Sequence, residues 1–87
     1  MKYRSRTEIA SHILEAANGG ATKTKIMYKA YLSYAQLKEY LAILVQNGLL
    51  AYDLATTYKT TSKGIKFLNT ARQMDGLFIL ASQEKET

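Results

Sequence analysis

A mainly α-helical fold with one small β-hairpin and a long C-terminal helix is what this 87-residue chain predicts. Three observations carry that expectation. Residues 22–48 read as a short helix, a tight turn and a longer helix that stops at a glycine. Residues 49–60 hold two short β-prone stretches around Ala55-Thr56-Thr57. From Ser62 onward, apolar residues recur at alternating spacings of four and three.

Ser5-Arg6-Thr7-Glu8 opens the first helix as a capping box, in which a serine hydroxyl and a glutamate three positions on each satisfy a free backbone amide. Ile9, Ile13, Ala16 and Ala17 then share one helical face, with Leu14 beside them. Asn18-Gly19-Gly20 ends that helix. Thr22 is the expected N-cap of a second helix over about 23–30, with Ile26 and Met27 inward. The chain breaks at Ala30-Tyr31-Leu32. Ser33 caps a third helix, about 34–47, and Gln36 completes a second capping box. Leu37, Leu41 and Leu44 point inward with Tyr40 flanking them, and Gln36, Lys38, Glu39, Ala42 and Ile43 lie away from that face or at its edge. Gly48 follows as the residue that tolerates a left-handed cap. Two helices joined by so tight a turn form a helix-turn-helix pattern.

Leu49–Leu54, with Tyr52 alternating, suits a strand, and Tyr58-Lys59-Thr60 returns as its partner. The intervening Ala55-Thr56-Thr57 lacks an Asn-Gly pair, so the register stays open. Three helices followed by a hairpin describe a winged helix. Thr61-Ser62 then caps a final helix over roughly 62–83, about 33 Å long at about 1.5 Å per residue. Ile65 and Leu68 face the domain. Phe67, Ala71, Met74, Phe78 and Ala81 form a two-heptad seam that Leu77, Ile79 and Leu80 widen. A stripe of that length predicts a coiled coil with a second copy of the chain. The competing reading folds the helix back on its own core. Gly76 lowers helix propensity there by about 1 kcal/mol relative to alanine. The organisation expected is a winged helix-turn-helix domain over residues 1–61, followed by a C-terminal dimerisation helix with a frayed tail over 62–87.

Composition narrows the function. A domain this small buries only about 60% of the surface of its unfolded chain, and the sequence holds no cysteine for a disulfide or thiolate metal site. One histidine leaves a zinc site short of ligands. The acids are scattered without an inward pair, Gly19-Gly20 lacks the context of a phosphate-binding loop, and neighbours Ser11 and His12 point about 100° apart on a helix. The expectation is therefore a protein without enzymatic activity, cofactor, metal or small-molecule ligand. No apolar run approaches the roughly 20 residues of a membrane span, and the opening MKYRSRTEIASHI lacks an apolar signal core. A cytoplasmic, nucleoid-associated location follows as the expectation. The net charge is +5, and residues 1–31 hold six Lys/Arg against two Glu, whereas residues 32–60 are neutral. A basic first third favours a polyanionic partner. Lys23 and Lys25 sit at the start of the second helix, where they oppose its dipole unless a polyanion lies there. Four of the seven tyrosines, Tyr28, Tyr31, Tyr34 and Tyr40, cluster in the same region, and a tyrosine hydroxyl can bond phosphate while its ring packs on the domain.

The stretches KTKIMYKAYLSY (Lys23–Tyr34), Leu37–Leu50 and TSKGIKFL (Thr61–Leu68) resemble a family of small archaeal winged-helix DNA-binding proteins, the ten-kilodalton chromatin-type proteins described from Sulfolobus. The likeness spans about residues 5–82. It implies a winged helix, duplex DNA binding, and a homodimer through an antiparallel coiled coil of the final helices. The chain departs from that pattern in its modest net charge and in a wing turn of Thr56 and Thr57 with only Lys59 nearby. On this reading Ser33, Tyr34, Gln36 and Lys38 face DNA from the third helix. Lys23, Thr24, Lys25, Tyr28 and Lys29 anchor phosphates, Lys2, Arg4 and Arg6 form a short basic arm, and Lys59 is the wing cation. Gln36 either reads an adenine edge or only completes its capping box. The rival function is a winged helix used for protein–protein contact without nucleic acid, because fold does not dictate function.

Overall fold

The computed structural model describes residues 4–53 and 56–86, with side chains placed as far as Met74. Lys2 of the expected arm and Leu54 and Ala55 of the hairpin lie outside the described residues. So do the side chains of Leu77, Phe78, Ile79, Leu80 and Ala81. The elements run α1 (Arg6–Ala16), β1 (Ala21–Thr22), α2 (Lys23–Lys29), α3 (Tyr34–Gln46), β2 (Leu50–Asp53), β3 (Thr57–Thr60) and α4 (Ser62–Glu86). This is the helical domain with a hairpin that the sequence predicts, with one added strand.

Local chemistry sets the helix ends. Ser5 Oγ accepts the Glu8 amide at 3.1 Å while the Ser5 amide donates to Glu8 Oε1 at 3.2 Å, so the first capping box is complete. Thr22 Oγ1 accepts the Lys25 amide at 3.3 Å. Two helices end in Schellman motifs. At the end of α3, the Leu49 amide donates to Leu44 O and the Gly48 amide to Val45 O, with Gly48 at φ 75°. The same pattern closes α2: the Leu32 amide donates to Met27 O and the Tyr31 amide to Tyr28 O. There the left-handed residue is Tyr31, at φ 53°. A tyrosine in that region is strained by roughly 1 kcal/mol, and the two motif bonds hold it there.

The sheet has the order β1-β3-β2 and is antiparallel throughout. The register pairs Leu50 with Thr60, Ala51 with Lys59, Tyr52 with Tyr58 and Asp53 with Thr57. Thr57 therefore belongs to the strand rather than to the turn. Because alternate residues face opposite sides, Leu50, Tyr52, Tyr58 and Thr60 share the inner face, and Ala51, Asp53, Thr57 and Lys59 the outer one. The two-residue β1 pairs Ala21 with Tyr58 and Thr22 with Thr57.

Ile13, Leu14, Ile26, Leu37 and Leu50 are the largest fully buried side chains, and Leu68 of α4 joins their cluster. Thr60 and Thr61 tie the end of the sheet to three helices. Buried Thr60 donates from Oγ1 to Leu14 O at 2.7 Å and from its amide to Ala17 O at 3.2 Å. Thr61 Oγ1 donates to Gly48 O at 2.6 Å and accepts the Gly64 amide at 3.1 Å, which makes it the N-cap of α4.

The start of α4 packs on α1. Ala71 is only 8% exposed, Phe67 is half-buried against the core, and Arg72 pairs with Glu15 at 2.8 Å. This changes the reading of the seam. Phe67 and Ala71 pack against their own domain, so the part of the stripe open to a partner begins at Met74, which is 64% exposed.

Candidate nucleic-acid interface

With about 3.6 residues per turn, Ala35, Lys38, Ala42 and Val45 form the outward ridge of α3, and all four are exposed. Tyr34 stands exposed at its start. Between this ridge and the hairpin runs a mostly apolar groove of about 440 Å³. Leu41, Ala42, Val45 and Gln46 form one wall, Tyr52 and Tyr58 the other, and Lys23 and Lys38 are its cations. The tyrosine rings lie 4.7 Å apart at 45°, as cross-strand partners on the inner face. A second, smaller groove of about 340 Å³ shares Lys23, Tyr52 and Tyr58 and adds Thr22, Thr24 and Thr56. The Tyr52–Tyr58 pair is thus a common wall of both.

Three separate elements therefore meet on one face: the first turn of α2, the ridge of α3 and the hairpin. Among the described residues no carboxylate lines either groove. Glu39 turns to the opposite flank of α3 and lies 3.9 Å from Arg6, and Asp53 is on the outer face of the hairpin. The result is an apolar surface flanked by positive charge.

The residues expected at a DNA surface divide into those on this face and those away from it. Lys23, Thr24 and Lys38 come together there. Tyr28 and Tyr34 are exposed, as is Tyr31. Lys25 and Lys29, four positions apart, share another flank of α2, where Lys29 lines a depression beside His12 and Glu15 of α1. Lys59 projects from the outer face of β3, away from the tyrosine pair. Ser33 and Gln36 cap α3: the Gln36 amide donates to Ser33 Oγ at 3.2 Å, and the Ser33 amide to Gln36 Oε1 at 3.4 Å. Of the two roles open to Gln36, the cap is the one its side chain fills. Arg6 lies over the Tyr40 ring, 5.2 Å from its centroid, on the flank opposite Lys23.

Arg4 does not belong to a free arm. Its guanidinium donates to the carbonyls of Ala30 and Tyr31, the latter at 2.8 Å, and lies 2.9 Å from His12 Nδ1. It satisfies carbonyls that the end of α2 leaves open, and its charge complements the negative end of that helix. Arg4→Ala is expected to lower stability by about 1.5–3 kcal/mol, the range for hydrogen bonds to a charged donor. Urea denaturation measures it. A midpoint equal to wild type would show that the turn closes without this bracket.

Sequence reading missed Tyr52 and Tyr58 as a groove wall, because their meeting depends on a register that no turn motif announces. It placed Ala42 away from the core without assigning it a role, and Val45 went unassigned. Both follow from the α3 periodicity once Lys38 is taken as outward.

Among the described residues no helix is long and apolar enough to cross a membrane, and no group of His, Asp or Glu is arranged to hold a metal ion. A search of curated proteins gives no significant match. Among solved structures, the crystal structure of Sso10a-2, a DNA-binding protein from Sulfolobus solfataricus, matches with a TM-score of 0.84 at 24% identity, covering 95% of this chain and 90% of that chain. At that identity the likeness speaks for the fold. A family model described as winged helix-turn-helix matches residues 3–78. With that match extending over most of the sequence, and with the tight α2–α3 turn and the hairpin in their places, the chain belongs to the winged helix-turn-helix family.

Proposed function

We propose that this chain is a non-enzymatic protein that binds duplex DNA and acts as a transcriptional regulator or an architectural, nucleoid-associated protein in the cytoplasm. The observation that carries the reading is the convergence of Lys23 and Lys38, from different helices, on one groove that no carboxylate lines among the described residues. Lys23 and Lys38 take phosphates, Thr24, Tyr28 and Tyr34 offer hydroxyls to them, and the ridge of α3 enters the major groove. Lys25, Lys29 and Lys59 add positive potential from neighbouring faces. The fold shared with a protein described as DNA-binding supports the reading by analogy.

Dimerisation belongs to the same proposal. The stripe that begins at exposed Met74 and continues by spacing through Phe78 and Ala81 pairs with a second copy as a coiled coil. The apolar character of the α3 groove favours one rival, a winged helix that binds a protein partner.

A binding titration against salt separates the two. Each lysine that neutralises a phosphate adds about 0.9 to the steepness of the log–log salt dependence, so Lys23→Ala with Lys38→Ala is expected to flatten the slope by about 1.8. Lys25→Ala with Lys29→Ala is expected to flatten it less. An unchanged slope in the first pair removes these lysines from the interface. Absence of any duplex binding at low salt removes the DNA reading and leaves the protein partner.

A further inference from the structure

The outward ridge of α3 is built mostly of short apolar side chains. Gln36 Oε1 is engaged in the cap and Glu39 faces Arg6; of the four ridge positions only Lys38 carries a polar side chain, and the exposed amide of Gln46 stands one turn beyond Ala42 on the same groove. Ala35 and Ala42 bring two methyl groups to the ridge without reach, and Val45 adds two more at 38% exposure. Short side chains let a helix sit deep in a groove, where its methyl groups meet whatever the base edges present. In the major groove the one apolar feature that distinguishes a base pair is the C5-methyl group of thymine.

We infer that the α3 ridge favours thymine in its DNA site through apolar contact of Ala42 and Val45 with thymine C5-methyl groups. This rests on the DNA-binding reading and assigns its specificity. Lys38, between Ala35 and Ala42, supplies charge to the same face. A ridge of this kind favours thymine-containing steps by modest factors at each position, since a buried methyl carries no directional requirement. Burial of one methyl at about 0.8 kcal/mol corresponds to roughly a fourfold change in affinity.

Deoxyuridine is the probe, because it removes the C5-methyl and leaves every base-pairing group in place. Two A·T-rich duplexes of identical sequence, one with thymidine and one with deoxyuridine throughout, are titrated with the full chain at several salt concentrations. The thymidine duplex is expected to bind about four- to sixteenfold more tightly, as one or two methyl contacts require, with the same salt slope for both. Replacing cytosine with 5-methylcytosine in a G·C-rich duplex is expected to raise affinity, which separates methyl contact from the altered flexibility of uracil-containing DNA. Ala42→Ser with Val45→Ser replaces the apolar ends of both side chains with hydroxyls and leaves no γ-methyl, and is expected to remove the thymidine preference while leaving the salt slope unchanged. Melting curves check that this variant is folded; if it is not, Val45→Ala alone takes its place. Equal affinity for the two A·T duplexes overturns the inference, as does a preference that survives in the folded variant. Both outcomes leave duplex binding and its salt slope standing. Loss of binding to all duplexes instead overturns the DNA reading itself.

Discussion

Gly64→Ala is expected to lower the melting temperature by roughly 12–24 °C, corresponding to about 3 kcal/mol for a chain of this size. Gly64 is at the third position of α4, and helix propensity alone predicts the opposite, a gain of about 1 kcal/mol. The contacts reverse the sign. A Cβ built on Gly64 collides with the carbonyl oxygen of Leu49 and comes within 2.6 Å of Thr60 Cγ2. Neither neighbour is free to yield. Leu49 O accepts the Thr61 amide, and Thr60 is anchored through Leu14 O and Ala17 O. Relief requires the start of α4 to move, which pulls Leu68 out of the core and breaks the Thr61 cap. Thermal unfolding followed by circular dichroism tests this. A variant that melts at or above the wild-type temperature would show that α4 shifts without loss and that the close approach is not needed.

The second large effect concerns assembly. Wild type is expected to sediment as a dimer, at twice the 9.8 kDa of the chain, and Met74→Lys with Phe78→Lys as a monomer. Lysines at two successive seam positions place like charges across an apolar contact, where an unpaired charge is strongly disfavoured. Met74 suits the test because it is exposed, whereas Phe67 and Ala71 pack on their own domain, so changing those would confuse loss of pairing with loss of folding. The wild-type melting temperature is expected to rise with protein concentration and that of the variant to stay constant. A wild-type chain that remains monomeric at high micromolar concentration rules out the coiled coil.

Helix ends, the break between α2 and α3 and the inward faces of α1 and α3 were legible in the sequence. Ser5 with Glu8, Ser33 with Gln36, Thr22 with Lys25 and the left-handed Gly48 are interactions within three or four residues. Such contacts form wherever the segment is helical, so residue type and spacing suffice to read them. The hairpin was legible as a pair of strands, and its register was not, because Thr56-Thr57 imposes no particular turn.

What only the tertiary structure decided is the set of contacts made across long stretches of chain. Strand β1 is two residues long and exists because β3 arrives beside it. Arg4 looks like part of a basic arm until the carbonyls of Ala30 and Tyr31, 26 and 27 residues away, come within its reach. Gly64 looks like a weak helix position until Leu49 and Thr60 close on it. Phe67 and Ala71 carry the same heptad spacing as Met74, and only the docking of α4 on α1 separates the packed end of the stripe from the open one. Lys23 and Lys25 are equivalent by composition, yet one lines the groove with Lys38 and the other shares the flank of Lys29. Local preference is encoded in near neighbours, whereas the face to which an exposed cation or an apolar stripe belongs depends on which distant element packs beside it.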